Sequence, residues 1–162
     1  MTRTTTAAPM TATAATSRTR RSLLLTLLLR PVPAAANPAA RAATGAAIVF
    51  GAAMVAVSAA IHLHLWLIGY RHIHIIGSAF LFQSTFGLAL APALVAFRRM
   101  VVVVAGVAYC GGSVVALLLS ATVGFLGLHD GLSVPWAGWS LASELAGLVA
   151  LATVAGFAFR RK

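Results

Sequence analysis

The side chains able to do chemistry are few and unevenly placed. Five histidines and two acids occur in 162 residues. They fall as His62 and His64, then Arg71, His72 and His74, then His129 with Asp130, and finally Glu144 by itself, with Gln83 the one other notable polar group. Neutral imidazole on facing helices is the usual axial arrangement for haem and a common ligand for transition metals. A carboxyl group beside an imidazole can instead pass protons. The lone Cys110 can form neither an internal disulfide nor a Cys-x-x-Cys redox pair. No Gly-rich phosphate loop, His-Glu-x-x-His metal motif or Gly-x-Ser-x-Gly elbow occurs in the chain. The residues therefore point to a polar or ligand-holding site more than to an enzyme.

What must position these groups follows from composition. Apolar residues make up 60% of the chain and charged ones 9%, against roughly 25% charged in a soluble domain. That excludes a soluble globular protein. A membrane-spanning helix needs about 20 mostly apolar residues, and the chain after residue 42 has room for four. The apolar runs predict spans at about 43–67, 74–97, 100–126 and 136–159, giving an all-α, four-transmembrane-helix bundle. The net charge of +10 could suggest a nucleic-acid partner, but its distribution argues against one. Six arginines precede residue 43, Arg98-Arg99 separates the second and third spans, and Arg160-Arg161-Lys162 follows the fourth. By the positive-inside rule this places both termini in the cytoplasm of a cell-membrane protein, with 11 of the 12 cationic residues inside. Trp66 and Tyr70, and Trp136 and Trp139, then fall at the outer interface as aromatic anchors.

Residues 1–42 differ in kind, being rich in Thr, Ala and Arg with no acid or aromatic; they read as a disordered basic tail. Within them, Arg20-Arg21 followed by a leucine run and Ala34-Ala35-Ala36 has the outline of a secretory signal. Cleavage after Ala36 would reverse every later span and put Arg98, Arg99 and the terminal Arg-Arg-Lys on the wrong face. The charge pattern therefore favours a retained segment lying on the inner leaflet among anionic headgroups.

All five histidines belong to the outer side. From the 1.5 Å rise per residue, His62 sits about 6 Å and Glu144 about 8 Å deeper than their neighbouring tryptophans, and Gln83 lies about 14 Å below His74. An ionisable group in a span is costly and normally faces the bundle interior with a partner, so Glu144 is expected to point inward. His62 and His64 are about 200° apart around one helix; only one can face the same site. His62 follows Ser58 by one turn, whereas His64 continues a stripe through Ala52, Ala56 and Ala60. That stripe, a second through Ala108, Gly112, Ala116, Ser120 and Gly124, and a third through Ala142, Ala146 and Ala150 are expected to be packing faces, because close approach of small residues drives helix association in lipid. Pro92 should kink or loosen the second span, and Cys110 is expected to pack as a small apolar residue.

The stretch from Ile61 to Gly77, containing His62-Leu63, Tyr70-Arg71 and Ile76-Gly77, together with Phe80-Leu81-Phe82-Gln83 and Glu144, resembles small four-span integral membrane proteins of actinobacterial type, and more loosely the DoxX-like group. The likeness covers about 45–160. It implies the four-span fold and a shared polar pair, His62 and Glu144, but no activity. Where those relatives have proline, this chain has His74, which speaks against His74 as a ligand. The expected function is that of a non-enzymatic accessory or interaction protein of the cell membrane with a polar core of His62, His64, Gln83 and Glu144. Two alternatives stand beside it: a haem- or metal-binding redox protein using the outer histidines, with His62 the best metal ligand, and a proton-linked small-solute carrier acting as an oligomer through Glu144. The expected partners are the lipid bilayer and other membrane proteins or further copies of the chain, without nucleic acid.

Overall fold

A computed structural model describes residues 22, 25–26, 28–34, 37–124 and 136–160. Within them the chain forms four long helices: α1 (Pro38–Ile68), α2 (Ile76–Phe97), α3 (Met100–Thr122) and α4 (Ala137–Arg160), with a short 3-10 turn, Tyr70–His72, between the first two. All four are long and apolar enough to cross a membrane. The protein is a four-transmembrane-helix bundle, an integral membrane protein.

The helix ends have local causes. Asn37 accepts a bond from the Ala40 amide at 2.7 Å and Pro38 occupies the first turn, the side-chain cap and preset φ that favour a helix start. Consequently α1 begins within the stretch assigned by composition to the tail, and residues 38–42 are helical. Arg98 at φ 43° ends α2 in the left-handed region, and α3 starts two residues later, so α2 and α3 form a tight helical hairpin at the Arg98-Arg99 pair. Gly124 at φ 82° follows the end of α3, a conformation glycine adopts without steric penalty. The helix α2 continues through Pro92 to Phe97. Ser22, Leu25, Thr26, Leu28 and Leu29, from the segment expected to lie on the inner leaflet, are in helical turns; the disorder expected of residues 1–21 lies outside the described residues.

The helix α1 is central, packing along α2 on one side and α4 on the other, while α3 packs chiefly on α4. The core gathers Ile48, Val55, Leu90, Leu94, Val103, Cys110, Leu151 and Val154, with Cys110 fully enclosed as a small apolar side chain. Close approach depends on glycine here: a Cβ at Gly51 or at Gly106 would stand 2.6 Å from a Leu151 carbon. The packing faces differ from the expected alanine stripes. On α3 the buried line runs through Val103, Gly106, Cys110 and Val114, whereas Ala108 and Gly112 are exposed. The reason is geometric. A four-residue step turns 400°, so such a stripe drifts about 40° per turn, and the one on α3 starts on an outward face and reaches the interior only at Ser120. Large apolar side chains point outward instead, including Phe82, Phe97, Trp139, Val149 and Phe157, as a lipid solvent permits.

Candidate functional site

The bundle encloses a polar cluster built one helical turn at a time. On α4, Ser140 precedes Glu144 by four residues, and its hydroxyl donates to Glu144 Oε1 at 2.9 Å. On α1, Ser58 precedes His62 by the same spacing. The Ser58 hydroxyl crosses to donate to the same Glu144 oxygen, also at 2.9 Å, while the Ser58 carbonyl lies 2.9 Å from His62 Nδ1. A carbonyl only accepts, so Nδ1 carries the hydrogen and the neutral ring has its lone pair on Nε2. The imidazole edge meets the Phe80 ring at 5.1 Å, and Phe80 in turn stacks on Tyr70.

The cluster extends to α3. The Tyr109 hydroxyl reaches Ser58 Oγ at 3.5 Å. Because the single Ser58 O–H is already directed to Glu144, the tyrosine is the donor in this contact. On α2, Gln83 donates from Nε2 to Ser113 Oγ on α3 at 2.5 Å. Side chains of α1, α3 and α4 thus form one network whose donors lead toward Glu144 Oε1, and a separate bond ties α2 to α3. The other carboxyl oxygen, Oε2, is buried and has no hydrogen-bond partner among the described residues. Glu144 is only 1% exposed and Ser58 fully buried.

The expected site residues separate accordingly. His62 and Glu144 both converge on Ser58, from its carbonyl and its hydroxyl respectively. Gln83 bonds instead to Ser113 on α3, one turn from Tyr109. His64 does not join: it is exposed, its ring 5.2 Å from that of Trp136. Arg71 and His72 lie exposed in the 3-10 turn, with Arg71 Nε donating to His72 Nε2 at 3.0 Å, and His74 is exposed beyond them. His129 and Asp130 lie outside the described residues. Among the described residues no three His, Cys, Asp or Glu side chains come together as a ligand set, so the core presents one imidazole to a metal. The Ser58 hydroxyl is directed to Glu144, while His62 meets the Ser58 carbonyl.

Sequence reasoning passed over Ser58 as a partner, and Tyr109, Ser113 and Ser140 entirely. Their signal is the i, i+4 spacing that places Ser58 with His62, Ser140 with Glu144, and Tyr109 with Ser113 on single helix faces. No family model, curated protein or solved structure matches the chain.

Proposed function

We propose that the chain is a non-enzymatic accessory or interaction protein of the cell membrane, whose polar centre fixes helix register and whose outward faces meet neighbouring membrane proteins or further copies of itself. The observation that carries this reading is that the central hydrogen bonds run between helices: Ser58 links α1 to both α3 and α4, and Gln83 links α2 to α3. A buried carboxyl group held this way discriminates among rotations and shifts of the helices, since a slip of α1 against α4 breaks the Ser58–Glu144 bond. Arg98 and Arg99 at the α2–α3 turn and Arg160 at the end of α4 support an orientation with both termini in the cytoplasm. The likeness of His62-Leu63, Tyr70-Arg71, Ile76-Gly77 and Glu144 to small four-span actinobacterial membrane proteins belongs to the same reading.

The α2 face around Phe82 is the place to test it, because Phe82 is 66% exposed and stacks on Phe86. A photoreactive amino acid at position 82, irradiated in native membranes, is expected to give a discrete protein adduct, to another protein or to a second copy. Adducts to lipid alone from positions 82, 139 and 149 would overturn the interaction reading.

One observation favours a second reading, a proton-linked carrier of a small solute working as an oligomer: Glu144 Oε2 has no partner among the described residues, and a buried polar oxygen left unpaired is destabilising. A proton or cation passing through the bundle could be held there. If so, Glu144→Gln abolishes pH-driven uptake in proteoliposomes while the protein stays folded; loss of thermal stability with no uptake to lose returns the site to a structural role.

A further inference from the structure

At the arginine-bearing end of the bundle a cavity of about 330 Å³ opens between the start of α1 and the end of α4. Its α1 wall is made of alanines, Ala40, Ala43 and Ala47, spaced to lie on one face; its α4 wall includes Val154 and Phe157. Small residues on one side against larger ones on the other leave the gap. The two threonines in the lining do not make it polar. Thr44 donates to the Ala40 carbonyl at 2.8 Å and Thr153 to the Val149 carbonyl at 2.7 Å, so both hydroxyls are engaged within their own helices.

The end of the bundle at which this apolar cavity opens is strongly basic. Val32 and Pro33 line it, and their segment is clamped to the α2–α3 turn: the Val32 amide donates to the Arg98 carbonyl at 2.8 Å, and the Met100 amide to the Arg30 carbonyl at 3.1 Å. Arg30 folds over the end of α4, donating from Nη2 to the Ala158 carbonyl at 2.7 Å, with its guanidinium carbon 6.0 Å from the Phe159 ring centre. Its Nε–H is buried without an acceptor among the described residues. Arg41, Arg98, Arg99 and Arg160 are exposed at the same end, and the only acid among the described residues, Glu144, is in the core. A charged donor lacking an acceptor, a cationic end of the bundle and an apolar slot together match a molecule with a phosphate head and a hydrocarbon chain. Arginine binds phosphate through paired N–H groups, and hydrocarbon filling the slot gains the dispersion contacts that a void loses.

We propose that this cavity is a binding site for one anionic phospholipid, its acyl chain between α1 and α4 and its phosphate on Arg30 with the neighbouring arginines. The proposal is independent of how the Glu144 cluster works. It is tested by native mass spectrometry of the full chain in micelles containing equal phosphatidylglycerol and phosphatidylcholine. One phosphatidylglycerol is expected to be retained with about tenfold preference, equivalent to about 1.4 kcal/mol. Arg30→Gln should bring the preference close to one, Arg30→Lys should keep part of it, and Ala43→Phe, which fills the slot from its α1 wall, should reduce retention of both lipids at least fivefold. Circular dichroism of each variant confirms the helical fold before the lipid count is read. Equal retention of the two lipids by the unmodified protein would overturn the proposal. So would unchanged retention in folded Ala43→Phe, or displacement of the lipid by millimolar inorganic phosphate, which would mean that an anion site without the slot suffices.

Discussion

Around Leu151 the helices meet through shape, with Gly51 and Gly106 opening space for one leucine, whereas two turns away on the same helix they meet through directed hydrogen bonds that end on Glu144. Both regions are buried, and both bring α1, α3 and α4 together. They differ in what they specify. Shape contacts are short-ranged and adjust by small side-chain shifts, so they supply close packing. Hydrogen bonds to a carboxyl group have fixed donors and directions, so they select among helix rotations that apolar packing alone would leave close in energy. In lipid this division is sharper than in water, because burying apolar surface between helices gains little when the alternative solvent is itself hydrocarbon.

The largest effect should come from emptying the shape-held region. Leu151→Ala removes the side chain that fills the space between Gly51 and Gly106, and large-to-small core changes cost about 2–5 kcal/mol. Unfolding by detergent titration in mixed micelles measures it. A loss under about 1 kcal/mol would mean that the glycine-lined space collapses without its leucine, and the contrast between the two regions would then be one of degree. Next in size is Ser58→Ala, which removes a donor to Glu144 and the acceptor of Tyr109 together. The expected loss is about 1–3 kcal/mol, the range for leaving buried polar groups unpaired. A double-mutant cycle with Ser140→Ala sharpens the assignment: the two serines share one carboxyl oxygen, so their effects should depart from additivity by about 0.5 kcal/mol or more. Strict additivity would argue that each serine acts within its own helix.

The extent to which all this could be read in the sequence follows the same division. Four spans were legible because hydrophobic runs of spanning length need no knowledge of neighbours, and the boundaries moved mainly where a local device intervened, as with Asn37 and Pro38 at the start of α1. Glu144 was legible as an inward residue because an isolated acid in a span has few other places to go; that only one of His62 and His64 could join it was legible from their angle around the helix, but which of the two was not. The packing faces were not. Which side of α3 touches α4 is set by the rotation of two helices about their axes, and repeats such as Ala108, Gly112 and Ala116 occur on a face that turns away from the contact. Gly106, one residue of the true face, carries no periodic signal of its own. The network was half visible: each i, i+4 pair lies in the sequence, but only the bundle brings Ser58 to Glu144 and Gln83 to Ser113.

Replacing the whole carboxyl group should cost less than removing a serine from it. Glu144→Leu keeps roughly the same volume and deletes the unpartnered Oε2 along with Oε1; exchanging buried ionisable groups for apolar ones of similar size is often near neutral. A change within about 1 kcal/mol is expected, since Ser58 and Ser140 can turn their hydroxyls to backbone carbonyls as serines in helices do. Loss of more than about 3 kcal/mol would show that the carboxyl group, and not packing, holds this region together. Stability retained with register lost is a distinct and informative outcome. Cross-linking between paired cysteines placed on α1 and α4 at the Ser58 level would detect it as a broadened pattern.

The smallest expected effect belongs to Tyr109→Phe. The hydroxyl stands 3.5 Å from Ser58 Oγ, the long end of the hydrogen-bond range, and bonds weaken as they lengthen and tilt. Gln83 keeps Ser113 as its acceptor, so no buried donor is orphaned by the change. The ring itself stays, with its tilted contact to Phe86 at 6.3 Å and its place beside Gly87, whose Cβ would meet that ring. A loss of about 0.5 kcal/mol or less therefore follows from geometry, below the 1 kcal/mol typical of a well-formed bond. A loss near that of Ser58→Ala would mean that the tyrosine hydroxyl draws closer to Ser58 in the bilayer, making the link from α3 to Glu144 as strong as the link from α1.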